Sequence, residues 1–130
     1  MHPHETYSIS IDATFSATHR LRLADGSLEP LHGHDWHVRA HFSRTKLDET
    51  GMVIDFHHAR DVLRSILAPL HYADLNSLPD FARFNPTAEN VAQHVFHKLH
   101  GAGLNGVCRV EVTEAPGCVA SYERGSGAGL

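Results

Sequence analysis

Every second residue from Tyr7 to Ala17 is apolar, and between them stand Ser8, Ser10, Asp12, Thr14 and Ser16. A period of two sustained over that length specifies a half-buried strand and excludes an amphipathic helix, whose apolar positions recur at three and four. One more step of the same parity reaches His19, so this histidine points where the apolar side chains point. After loop residues centred on Asp25-Gly26-Ser27 and Pro30, the alternation resumes from His32 to Phe42. The inward set there is His32, His34, Trp36, Val38, Ala40 and Phe42, and His37, Arg39 and His41 take the solvated side.

The period then changes. Ala59, Val62, Leu63, Ile66, Leu67 and Leu70 recur at three and four residues, which predicts a helix from Asp55 to Leu70 that Pro69 ends or distorts. Asn85-Pro86-Thr87 announces a second helix, with Asn85 or Thr87 as N-cap, running to Gly101 and Gly103. Period two returns with Cys108, Val110, Val112 and Glu114 on one face, a turn at Pro116-Gly117, and Val119 to Glu123 pairing back. The order strand, strand, helix, helix, strand, strand is α+β, an antiparallel sheet with two helices on one face. Residues 1–124 make one domain and 125–130 a glycine-rich tail expected to be disordered. Four strands leave two open edges, which a closed ring of subunits would remove.

At 130 residues with 42% hydrophobic composition, the chain is long enough for one core and too short for two. A net charge of −4 gives no basic field for nucleic acid or an anionic membrane surface. No apolar run is long enough for a span and the N-terminus has no signal-peptide pattern, so the expected location is cytoplasmic. Cys108 and Cys118 are too few and too far apart for a disulfide scaffold or a C-x-x-C motif.

Thirteen histidines are the compositional anomaly. Most have the spacing of surface residues, but His19, His32 and His34 share the inward parity of two neighbouring strands. H-x-H on a strand places both rings on one face, and a third imidazole from the adjacent strand makes three corners of a tetrahedron. Three neutral imidazoles with one open position are the ligand set of a catalytic zinc, since structural sites are closed by four protein ligands. Glu114 is a second anomaly, a carboxylate on an apolar face that needs a partner. Either a structural ion pair or a ligand with paired N–H donors would supply one.

These residues fall into motifs: Phe15-Ser16-Ala17-Thr18-His19, His32-Gly33-His34, Gly51 to Phe56, Asn85 to Asn90, and Glu114 to Tyr122. In that order, over Tyr7 to Arg124, the chain resembles the 6-pyruvoyltetrahydropterin and 6-carboxytetrahydropterin synthase family. The resemblance implies the T-fold, a homo-oligomer of trimers stacked into hexamers, and zinc held by His19, His32 and His34. It implies Glu114 as the anchor of a pterin's aminopyrimidinone edge, with Thr87 and Glu89 around the pterin pocket. The implied substrate is 7,8-dihydroneopterin triphosphate, whose side-chain hydroxyls zinc would acidify while a base moves protons and triphosphate leaves.

The chain departs from the family where protons are moved. Leu28 occupies the position of the catalytic cysteine, and His71 and Tyr72 fall where the family has an Asp-His pair. Glu29 gives Glu-x-x-His-Gly-His, which resembles a branch that uses glutamate for the cysteine and cleaves the side chain to 6-hydroxymethyl-dihydropterin. That branch keeps the Asp-His pair, so the match to it is partial. The expected acid-base residues are therefore Glu29, His71 and Tyr72. Two other readings stand beside the pterin lyase: a zinc enzyme on a different pterin, purine or carbonyl substrate, and a non-catalytic module that retains pterin or zinc.

Overall fold

The structure is a computed structural model that describes residues 5–125. Apart from Gly125, the tail expected at 125–130 lies outside the described residues. Strands β1 (Tyr7–His19), β2 (His32–Arg44), β3 (Val107–Ala115) and β4 (Cys118–Glu123) form one antiparallel sheet in the order β1-β2-β3-β4. Helices α1 (Phe56–Leu67) and α2 (Ala88–Gly101) bury their apolar stripes on one face of it. This is the expected strand-strand-helix-helix-strand-strand order.

Alternation along β1 and β2 turns directly into burial. Ile11, Phe15, Ala17, Trp36, Val38, Ala40 and Phe42 are buried, and the residues between them are not. Phe15 and Trp36 are register partners whose rings stack at 5.6 Å, and both are fully enclosed. Each such side chain contributes roughly 1.5–3 kcal/mol of burial. They lie four and two residues from His19 and His34 on the same strands, so the core fixes the strand ends that carry the histidines.

The helices differ from expectation in their ends. The α-helix that starts at the Asp55 cap stops at Leu67, three residues early, and Ala68-Pro69-Leu70 tighten into a 3-10 turn that still buries Leu70. At α2 the cap is Thr87, whose side chain accepts from the Asn90 N–H; Asn90 in turn donates its amide to the Asn85 carbonyl. Leu75 and Phe81, in two short 3-10 turns, complete the core from a stretch without periodicity.

Strand β3 corrects one expectation. Between His41 and Phe42 its register jumps, leaving Cys108 as an extra, bulged residue while Val107 takes the inward place opposite Phe42. The Cys108 thiol donates to the His41 carbonyl. A second jump leaves Glu114 as the extra residue, just before the Pro116-Gly117 turn, where Gly117 has φ 82°. Bulges re-aim side chains at the ends of strands, and here the re-aimed residue is the inward carboxylate.

The outer edge of β1 is partly covered. Ser16 accepts from the Tyr72 N–H, and Thr18 donates to the Ala73 carbonyl, so the segment after α1 runs beside the end of β1. Among the described residues no helix is long and apolar enough to cross a membrane.

Candidate metal centre

His19, His32 and His34 come together where β1 ends and β2 begins. His19 and His32 are register partners, and the three rings meet edge to face with centroids 4.6–5.2 Å apart. One ligand atom from each lies within 4.8 Å of the others. In a tetrahedral zinc site with bonds of about 2.1 Å, two ligands stand about 3.4 Å apart, so small ring rotations suffice to close on an ion.

Hydrogen bonding decides which nitrogens face inward. His19 uses Nδ1 on the Pro86 carbonyl at 2.8 Å, and His32 uses Nδ1 on the Pro30 carbonyl at 2.9 Å. A carbonyl can only accept, so in both neutral rings the proton sits on Nδ1 and Nε2 keeps a free lone pair. This is the outer support that metal-ligating histidines commonly have. Nε2 of His19 and of His34 are buried with no hydrogen-bond partner. An orphaned buried nitrogen is costly, and two of them aimed at one place fit a cation that accepts their lone pairs. Burial holds His34 below the ordinary histidine range, with His19 and His32 acting in the same direction against the Glu114 carboxylate, which favours the neutral ligand form.

His19 is 1% exposed, and the edge of Trp36 closes over it and His34. Trp36 donates its indole N–H to the Ala17 carbonyl, so the wall of the site is itself tied to β1. Glu114 Oε1 lies 3.2 Å from His19 Nε2, within ion-pair distance but off the direction of a hydrogen bond. The carboxylate and the triad therefore share one site. Gly33 is not required for close packing within the chain: a Cβ there would meet only ordinary contacts, the nearest at 3.6 Å.

The other expected residues stand on loops and at a helix start. Glu29 is half-buried on the β1–β2 loop, its Oε1 accepting from the Leu21 N–H and its own N–H donating to the Leu21 carbonyl. Thr87 is the α2 cap next to Pro86, and Glu89 is exposed in the first turn. His71 accepts the Ser16 N–H at Nδ1, so its neutral ring carries the proton on Nε2. Tyr72 has φ 60°, is 84% exposed and lies over His71 with ring centroids 3.8 Å apart.

A cavity of about 540 Å³ brings Tyr72 and His34 together with Ser16, Asp35 and Asp74. It does not include Glu29, Glu114, Thr87 or Glu89. Sequence reasoning missed the Pro30 and Pro86 carbonyls, which orient two ligands, and the Ser16–Asp35 contact of 2.6 Å in the cavity wall. Backbone acceptors have no signature in composition or spacing. A serine facing an aspartate across two strands becomes visible only once register is known.

Comparison with known proteins places this geometry in a family. The profile of 6-pyruvoyl tetrahydropterin synthase matches residues 8–125. A 6-carboxy-5,6,7,8-tetrahydropterin synthase of Synechocystis is 36% identical over 84% of this chain and 87% of its own length. A putative 6-carboxy-5,6,7,8-tetrahydropterin synthase of Archaeoglobus fulgidus is 33% identical over 85% and 90%. Among solved structures, the Caenorhabditis elegans 6-pyruvoyl tetrahydropterin synthase superposes with a TM-score of 0.80 at 22% identity, covering 95% of this chain and 99% of that one. A Plasmodium vivax 6-pyruvoyltetrahydropterin synthase, a catalytic-residue mutant with alanine in place of a glutamate, gives 0.75 at 17%, covering 92% and 98%. The fold is therefore the T-fold of those structures, and the chain belongs to the 6-pyruvoyl tetrahydropterin synthase family.

Proposed function

We propose that this chain is a zinc-dependent pterin lyase or synthase acting on 7,8-dihydroneopterin triphosphate or a closely related pterin. The observation that carries this reading is the 3.2 Å approach of Glu114 to His19, which joins a carboxylate suited to a pterin's paired N–H donors to a three-imidazole metal site. His19, His32 and His34 hold the metal through Nε2. Zinc, when bound, supplies Lewis acidity that makes the substrate's side-chain hydroxyls easier to deprotonate.

The chain's own residues then divide the work. Glu114 orients the pterin ring, Thr87 and Glu89 flank it, and Trp36 keeps water from the buried side of the ligands. Glu29 is the general base. One of its carboxylate oxygens is occupied by the Leu21 N–H, which fixes the group and leaves the other oxygen to take a hydroxyl proton. Tyr72 lines the cavity shared with His34 and acts there as a proton donor, with His71, its Nε2 protonated, stacked behind it. The subunits assemble as trimers or hexamers that cover the open sheet edges.

With Leu28 unable to transfer protons, side-chain cleavage to 6-hydroxymethyl-dihydropterin through Glu29 is the favoured outcome. The catalytic glutamate named in the Plasmodium vivax enzyme supports a carboxylate in such a role on this fold. The identity to 6-carboxytetrahydropterin synthases favours a second product, the carboxy compound. Chromatography of products from dihydroneopterin triphosphate, with wild type and Glu29→Ala, separates them. The hydroxymethyl product, reduced at least a hundredfold in the variant, is expected. Robust carboxytetrahydropterin formation untouched by the mutation overturns the role of Glu29, and no product of any kind leaves a pterin-binding module.

A further inference from the structure

The position of Glu114 is not explained by the three imidazoles alone. Its Oε1 stands 3.2 Å from His19 Nε2, yet no hydrogen bond joins the two atoms. With the His19 proton on Nδ1, facing the Pro86 carbonyl, both the ring nitrogen and the carboxylate oxygen present lone pairs to each other. Two such atoms this close repel unless a cation lies between them. A shared proton would put the pair on the direction of a hydrogen bond, and the observed direction is off it. Ligand atoms of one metal ion have no such requirement, and around tetrahedral zinc neighbouring ligands stand about 3.4 Å apart. The Glu114–His19 distance is therefore a ligand-to-ligand spacing.

The strand leaves this carboxylate free to turn. Glu114 is the extra residue of the bulge between Thr113 and Ala115, with no register partner on β2 or β4. Its side chain is 30% exposed, against 1% for His19 beside it. The imidazoles of His19 and His32 are by contrast tethered through Nδ1 to backbone carbonyls. Among the described residues, only the three imidazoles have ligand atoms that all lie within 4.8 Å of one another. Glu114 thus flanks the triad from the His19 side, and its charge is felt at His34 as well.

We infer that Glu114 is a releasable fourth ligand: turning about its own side-chain bonds, it closes the metal's open position until a pterin seats, and then leaves it. Release by a pterin rests on the role of Glu114 proposed above. A carboxylate that receives two parallel N–H donors has both oxygens turned to the ring edge and away from the metal. Metal and pterin thus draw on Glu114 in different orientations, and a pterin that binds only the released one shifts the side chain to it. The centre stays closed to stray anions while no pterin is present, and opens beside the ring once it is seated.

The cobalt(II)-substituted protein tests this, since its visible absorption follows the ligands of the metal, where the filled d shell of zinc is silent. Azide is the probe for an open fourth position. Glu114→Gln and Glu114→Ala should bind azide at least about tenfold more tightly than wild type, with metal content unchanged because three imidazoles retain the ion. Glu114→Asp keeps the charge and shortens the side chain by one methylene, so it should follow the other two variants; an effect of charge alone would leave it like wild type. Saturating unsubstituted pterin, which has no side-chain hydroxyls to reach the metal, should raise the azide affinity of wild type toward that of Glu114→Gln. Equal azide affinity in wild type and all three variants overturns the inference, as does Glu114→Asp matching wild type while the other two differ. Pterin binding that leaves the azide affinity of wild type unchanged also overturns it, and the proposed function stands. Variants open to azide in a protein that binds no pterin do the reverse: the proposed function falls and Glu114 remains the fourth ligand.

Discussion

His19, His32 and His34 stand on two paired strands, whereas Glu29, His71 and Tyr72 stand on connections. The strand residues inherit their positions from the core. Phe15 and Trp36 stack across the register, and the rings beyond them have nowhere else to point. On the connections, the Glu29 carboxylate is held by the Leu21 N–H and the His71 ring by the Ser16 N–H, with the Tyr72 ring over His71 and otherwise in solvent. Metal ligation needs rigid, convergent donors, and a two-residue period on adjacent strands supplies them. Proton transfer needs groups that reach the substrate, and loops can change these while the sheet stays the same. On the reading proposed above, the metal set is borne by strands and the proton-transfer set by loops.

Glu114, which sits on a strand but at a bulge, carries the largest expected effect. Glu114→Gln keeps the shape and removes the charge, so pterin affinity should drop about tenfold to a hundredfold, the worth of a charge-assisted pair, with metal content unchanged. Calorimetry with a pterin ligand checks it. Loss of the metal together with the pterin would mean that Glu114 acts through the triad.

A smaller effect is expected at the start of α2. The Thr87 cap stabilises the helix start next to Pro86, whose carbonyl holds His19. Thr87→Ala should cost about 1 kcal/mol, read as a lower midpoint in chemical denaturation, and should loosen zinc retention during dialysis against a chelator. An unchanged midpoint with faster zinc loss would assign Thr87 to the site and not to the helix.

The smallest effect lies on the outward face, away from both sets. A hydrogen bond from His41 holds Glu111 below the usual carboxylate range, outweighing burial, which acts the other way, and Arg109 adds to the lowering. A carboxyl lowered in the folded state contributes stability above its ordinary range and loses it as the pH falls through the lowered value. Glu111→Gln should therefore destabilise by about 0.5 kcal/mol at neutral pH and by nothing measurable in strong acid. Denaturant midpoints at the two pH values read the difference.

Strands β1 and β2, the stripe of α1 and the cap-to-glycine span of α2 were legible because each rests on one local rule of spacing. The shared face of the triad was legible for the same reason, since parity put His19, His32 and His34 on the inward side; the β1–β2 register then sets His19 opposite His32. What stayed hidden depends on two segments at once. The bulges at Cys108 and Glu114 are properties of register between strands, and the alternation within β3 says nothing of them. Leu75 and Phe81 reach the core from 3-10 turns with no repeat to betray them. The side-chain amides of Asn76 and Asn85 bond to the backbone of Arg20 and of Arg22, residues more than fifty apart in the chain, and short polar side chains carry no pattern that predicts such partners.

Every role proposed for this site depends on the triad holding a metal through three imidazoles. Elemental analysis of the purified wild type and of His32→Ala tests this most directly. About one zinc per chain in the wild type and almost none in the variant is the result predicted here; full occupancy in His32→Ala would contradict it.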